Sequence, residues 1–291
     1  VPPVLSAQPE RVLTGSDISI SRTTFAQRAT QFFIGGQSRA RWQKIIFSWP
    51  FPIVLFILWQ LGTEHGWIAP QTLPPPQMVW DTFVSMLYSG ELAQHITVSV
   101  MRVVVGFSIG GLLALLLGVA MGLSQTIKEY LYPTFKLISY IPTMGWLPLL
   151  IMVFGIGESL KFVLIAKATF IPVVLNTYQG IRNVPVKYVD MGRVYGFSHW
   201  QLLRRIIFPA AFPSIWNGIR YGLTHSWLVL VVVELLASSE GLGFMMANGQ
   251  QLFQIDVVLV AVGIIGVIGF LMDKVFAMVE EYVLRWRRSA F

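Results

Sequence analysis

Residues 195–213 read YGFSHWQLLRRIIFPAAFP, and they decide how the rest of the chain is read. Two adjacent arginines, a glycine, two prolines and a tryptophan stand here between long apolar runs. Gly196 fits a helix C-terminal stop, where a positive φ costs glycine little. Ser198 and Gln201 match the S-x-x-Q capping box, which satisfies free N–H groups at a helix start. The pattern predicts a helix over residues 186–195, a corner at Gly196, and a second helix from His199 to Phe208 that Pro209 interrupts. Pro213 then precedes the next apolar run, where proline is tolerated in a first turn. Tyr195, Phe197 and Trp200 gather at the corner. Exposed aromatics suit the socket of a protein partner. An amphipathic helix with arginines equally suits lipid headgroups, and pattern alone leaves both readings open.

The flanking runs set the class. Only 12% of the 291 residues are charged and 55% are hydrophobic, against about 25% charged in soluble domains. Apolar runs at 45–63, 98–124, 132–154, 160–180, 214–237 and 256–279 approach the roughly 20 residues a spanning helix needs. The expected fold is an all-α polytopic membrane protein with six transmembrane helices. It divides into an N-terminal tail (1–44), a six-helix domain (45–285) with a loop at 182–213, and a C-terminal tail (286–291). The tail 1–44 is polar and lacks a short apolar h-region, so no cleavable signal peptide is expected.

Lysine and arginine orient the spans. Arg11, Arg22, Arg28, Arg39, Arg41 and Lys44 lie in the first tail, five basic residues from Arg182 to Arg205 in the loop, and Arg285, Arg287 and Arg288 at the end. Residues 64–97 and 238–255 contain none. Both termini and the loop are therefore expected in the cytoplasm. The net charge of +7 reads as topology and not as nucleic-acid binding, since no basic-aromatic module appears. With no cysteine, disulfides and thiolate metal sites are excluded. No two of the four histidines share metal-ligand spacing on one helix.

Smaller segments follow. LPPPQMVWDTFVSML (73–87) predicts a short interfacial helix with Met78, Val79, Thr82, Phe83 and Met86 on one side. Residues 23–33 fit either a similar helix or a loosely ordered tail. The glycine-rich stretch 238–254 is expected to dip into the protein as irregular backbone. Charges within spans default to function. Arg102 and Lys161 are placed to snorkel towards one interface, and Arg220 and Lys274 towards the other. Lys167 either pairs with Glu234 or meets a passing anion. Asn176, Thr224, His225 and Ser226 supply amide, hydroxyl and imidazole groups for such a path. Pro142, Pro148 and Pro172 are either breaks beside it or tolerated kinks.

The loop VDMGRVYGFSHWQLLRRIIFPAAFPS resembles the "EAA" loop of ABC-importer permeases. In that alignment Asp190, Met191 and Gly192 stand for the Glu-Ala-Ala triplet, Gly196 for the glycine, and Phe208-Pro209 for the closing pair. The triplet departs from the consensus at each position, while an acid, a small residue, the glycine and the proline survive in kind. The resemblance covers about residues 45–288. Further matches (WQLG…GW…LPPP, SGEL, the GFSIGG run after Arg102, and FGIGESLK) resemble the sulfonate, taurine and nitrate branch.

The resemblance implies a permease subunit that acts with a second, identical permease copy, two cytoplasmic ATPases and an extracytoplasmic substrate-binding protein, in a bacterial inner membrane. It implies that Asp190, Met191, Gly192, Arg193, Tyr195, Gly196, Trp200 and Pro209 couple to the ATPase. It also implies that ATP and Mg bind that partner and that this chain carries no cofactor; the sequence has no G-x-x-x-x-G-K-[ST] phosphate loop. The substrate expected is a small oxyanion, foremost an aliphatic sulfonate; taurine, a sulfate ester, nitrate and a thiamine-precursor pyrimidine remain open. A self-contained secondary transporter would favour duplicated halves, and none is evident. An intramembrane enzyme would need H-E-x-x-H, G-x-S-x-G or paired carboxylates in the spans, and the sequence shows none.

Overall fold

The computed structural model describes residues 50–285. Both tails, the 23–33 stretch and the start of the first expected span lie outside the described residues. The chain separates into two units, one up to Trp67 and one from Ile68. In the first, α1 (Pro50–Glu64) is an apolar helix of 15 residues. At 1.5 Å per residue this described part is about 22 Å long.

The second unit holds α2 (Pro76–Ser89), α3 (Glu91–Leu123), α4 (Gln125–Tyr140), α5 (Leu147–Phe154), α6 (Glu158–Arg182), α7 (Val186–Val194), α8 (His199–Leu202), α9 (Phe208–Ala237), α10 (Leu242–Gln251) and α11 (Ile255–Val283). Four helices are long and apolar enough to cross a membrane: α3, α6, the continuous His199–Ala237 run and α11. One bent pair of helices meets the same criteria only when taken together. Between α4 and a 3-10 turn at Thr143–Trp146 leading into α5, the chain bends by 91°. Four spans, or five with the bent pair counted as one, thus stand among the described residues, and the first of the six expected spans is described only from Pro50.

The break has a local cause. Pro142 offers no N–H and disfavours a helical conformation at the residue before it; Ile141 is extended, with φ −79° and ψ 117°. Pro172 breaks nothing and is buried within α6.

At the centre, α6 lies between α3 and α9. Of its most apolar stretch 56% is buried, against 11% for α11. Small residues make this possible. Gly106, Gly110, Ala114, Gly118 and Gly122 recur every fourth residue along α3 and are buried, placing them on one helix face. A Cβ at Gly106 would fall 2.7 Å from Ile165 Cγ2, one at Gly118 2.7 Å from Thr177 Cβ, and one at Gly110 against the Ala166 backbone. Gly218 and Gly222 give α9 the same close approach to Asn176 and Val173 of α6. Small residues at every fourth position let membrane helices pack backbone to backbone, where van der Waals contact replaces the hydrophobic drive.

The surrounding elements close this layer. Val79, Phe83 and Met86 of α2 pack on the core shared with α11, and Thr82 Oγ1 donates to Asp256 Oδ2 at 2.6 Å. Met78, expected on that side, is half exposed. Residues 242–251 form a helix and not the irregular backbone expected, with Leu242 and Met245 buried.

Candidate functional site

The corner takes the geometry its residues dictate. Gly196 has φ +71°. Phe197 N–H donates to Gly192 O at 3.0 Å and Gly196 N–H to Arg193 O at 2.9 Å, the paired bonds of a Schellman stop. Ser198 Oγ then accepts from Gln201 N at 3.3 Å, and Gln201 Oε1 accepts from Ser198 N at 2.8 Å, completing the capping box.

One expectation fails here: Pro209 does not interrupt the helix. Residues Leu203–Ile207 form a π turn in which Phe208 N–H reaches Leu203 O, five residues back. The widened turn absorbs the proline, whose ring would otherwise clash with the carbonyl four residues earlier. The corner thus runs into α9 as one His199–Ala237 rod.

Buried Gly192 seats α7 on that rod: a Cβ there would meet Ile206 Cδ1 at 2.5 Å and Leu202 Cδ2 at 2.6 Å. The outward face carries Met191, Tyr195 and Trp200, at 56%, 74% and 66% exposure. Asp190 and Arg193 are exposed and 3.4 Å apart, an ion pair of little energetic weight. The coupling candidates are therefore brought together, with Gly192 buried inside the joint, Gly196 at its exposed corner, Pro209 at the start of α9 and the rest on its surface.

The path candidates divide. Asn176 and His225 line one pocket of about 460 Å³ between the α4–α5 break, α6 and α9, with Ser139, Thr143 and Tyr221 as its other polar groups. The Tyr221 and His225 rings lie 4.6 Å apart. Lys167 does not line the pocket; its Nζ lies 3.4 Å from the carbonyl oxygen of the lining residue Ile141 and 5.3 Å from the Trp146 ring centroid. Thr224 is exposed and faces a different, 200 Å³ cavity towards α11. Ser226 is fully buried and donates to Leu223 O at 2.7 Å.

Glu234 lies elsewhere, and the alternative that it pairs with Lys167 is overturned. Its carboxylate, 0% exposed, accepts from Arg102 Nη1 at 2.8 Å, from Ser99 Oγ at 2.8 and 2.9 Å, and from Gly243 N at 3.0 Å. Arg102 forks onto Glu158 at 2.6 and 2.8 Å, and Lys161 joins Glu158 at 2.7 Å. Arg102 therefore does not snorkel; it is buried and satisfied. The network ties α3, α6, α9 and the amide end of α10 together. Arg220 likewise holds Asp273 bidentately at 2.7 and 2.9 Å and Glu280 at 3.1 Å, joining α9 to α11. Sequence reasoning missed the network because its members lie far apart in the chain, and missed the α3 seam although its four-residue spacing was visible.

Residues 110–284, more than half of the chain, match the family described as the inner membrane component of binding-protein-dependent transport systems. The chain belongs to this family. It is a multi-pass membrane permease subunit and not an enzyme. The permease is 37% identical over 84% of its length, and 94% of the relative's, to the putative aliphatic sulfonates transport permease protein SsuC of Escherichia coli. The SsuC protein of Bacillus subtilis is 36% identical over 87% of this chain and 91% of its own. The taurine transport system permease protein TauC of Escherichia coli is 33% identical over 80% and 86%. A nitrate import permease also matches, so the permease falls in the sulfonate, taurine and nitrate branch. Among solved structures, an amino acid ABC transporter with histidines matches with a TM-score of 0.55 at 20% identity, over 69% of the permease and 98% of that chain. It supports the fold alone. Permeases of this family work with ATPase and substrate-binding partners.

Proposed function

We propose that this chain forms the membrane path of an ATP-driven importer for a small organic oxyanion, an aliphatic sulfonate, and that the corner at Gly196 takes up the stroke of a separate ATPase. The carrying observation is the joint itself: a Schellman stop and a capping box fix α7 against a rod that runs from His199 into the membrane. A push on exposed Met191, Tyr195 or Trp200 is delivered to α9, because no flexible link absorbs it. The identity to two SsuC proteins supports the sulfonate assignment. Arg182, Lys187, Arg193, Arg204 and Arg205 crowd the joint's end of the bundle, and residues 238–254 at the other end have no basic residue. By the positive-inside rule the joint and both termini are cytoplasmic, in a bacterial inner membrane. A second identical copy completes the path, lipid covers the outer apolar helices, and ATP and Mg act in the ATPase.

Co-expression with the cognate ATPase tests this. The parent chain is expected to retain the ATPase through purification from membranes and to support ATP-dependent alkanesulfonate uptake with its binding protein. Uptake by this chain alone under an ion gradient would overturn the reading in favour of a secondary transporter.

A further inference from the structure

We infer that the pocket at the α4–α5 break is an intramembrane binding site for an anion carrying a short alkyl chain, so that the permease itself selects by tail as well as by head group. The inference rests on the importer reading above. Three features point to this ligand.

The pocket sits at depth. Lys167 is nine residues into α6, about 14 Å from its start, and His225 is twelve residues from the end of α9, about 18 Å. A ligand there is near the middle of a roughly 30 Å core.

The polar groups favour an anion. Lys167, whose Nζ lies beside the carbonyl of the lining residue Ile141, has no carboxylate within ion-pair distance among the described residues, unlike Arg102, Lys161 and Arg220. Thr143, Tyr221, His225 and Asn176 line the same space, and no carboxylate lines it. Asn176 spends one amide hydrogen on Pro172 O and has a second to give. An ammonium held at this depth is costly without a counter-charge, and a passing oxyanion supplies one.

The wall is apolar. Met144, Ile171, Leu175 and Val229 are among the eight apolar residues of the lining. At about 460 Å³ the cavity falls within the usual small-molecule range, in which a few placed polar groups orient a ligand and an apolar wall holds the remainder. Nitrate or sulfate would leave that wall unused; an alkanesulfonate fills both parts.

The test uses the permease assembled with its ATPase in nanodiscs, without binding protein, and radiolabelled butanesulfonate as probe. Saturable binding is expected, displaced more weakly by methanesulfonate and at least tenfold more weakly by nitrate or butylammonium. Lys167→Gln should weaken every alkanesulfonate by about tenfold or more and Lys167→Arg by less, as for loss of a charged hydrogen bond. Tyr221→Phe, which leaves an exposed ring in place, should weaken them about threefold. Leu175→Phe should weaken butanesulfonate by about tenfold and methanesulfonate by no more than about twofold, because it fills only the tail end. No saturable binding, equal displacement by nitrate, or binding unchanged in the Lys167 and Leu175 variants would overturn the site. In that case an assembly that still imports alkanesulfonate with its binding protein leaves the importer reading standing. An assembly that imports none overturns both.

Discussion

Arg102 and Glu234, 132 residues apart in the chain, meet in a 2.8 Å ion pair with the guanidinium 2% and the carboxylate 0% exposed. In the sequence each is an isolated charge in an apolar run. In the fold they lock α3, α6, α9 and α10 together at the end opposite the joint. Removing Arg102 strands the fully buried carboxylate of Glu234, and breaking a buried pair in that way costs about 3–5 kcal/mol; removing Glu234 leaves Arg102 its fork onto Glu158 but takes the acceptor from Ser99 Oγ and Gly243 N–H. Glu234→Leu is expected to abolish recovery of folded permease from membranes. Glu234→Gln, which keeps an acceptor for Ser99 and Gly243, is expected to be recovered with a lowered thermal midpoint. Yield and thermal unfolding of the purified chain check both.

The α3 seam predicts opposite outcomes at adjacent glycines. A Cβ at Gly110 meets the Ala166 backbone, which has nowhere to go; at Gly111 the nearest neighbour is Thr169 Cγ2 at 3.9 Å. Gly110→Ala should destabilise by about 1–3 kcal/mol as overpacking. Gly111→Ala should be neutral or stabilising by up to about 1 kcal/mol through helix propensity. Thermal midpoints of the two variants, measured side by side, separate them.

Gly196 has open space around it but a left-handed backbone. A β-branched residue is strained there and asparagine is tolerated. Gly196→Val is expected to lose both ATPase retention and alkanesulfonate uptake, whereas Gly196→Asn keeps most of each. Co-purification and uptake assays read the pair.

Arg220 grips Asp273 with a planar fork that lysine cannot reproduce. Because the pair is partly exposed, solvent screening keeps its worth near about 1 kcal/mol. Arg220→Lys should lower the unfolding midpoint by a few degrees without abolishing assembly, as checked by thermal unfolding of the complex.

The corner was the most legible element, because Gly196, Ser198 and Gln201 encode hydrogen bonds that all fall within residues 192–201. The long spans were legible for a similar reason: apolar length alone requires a helix in lipid. What escaped depends on distant partners. Nothing near Glu234 in the chain announces Arg102, so pairing with Lys167 looked equally natural. Pro209 looked like a stop because the π turn that absorbs it involves no special residue type. Pro142 and Pro172 look alike in sequence, yet one breaks a span and the other sits buried in an unbroken helix. Of the path candidates, Asn176 and His225 converge on one pocket, while Thr224, Ser226 and Glu234 face three other environments.

Because the chain contains no cysteine, a single introduced thiol reports on one surface. Maleimide labelling of Trp200→Cys and Tyr195→Cys, read on the permease band with and without the bound ATPase, tests the coupling joint most directly. Rapid labelling of the free permease and strong protection in the assembled transporter is the predicted result. Equal labelling in both states would show that no motor subunit grips the joint, and would contradict the account.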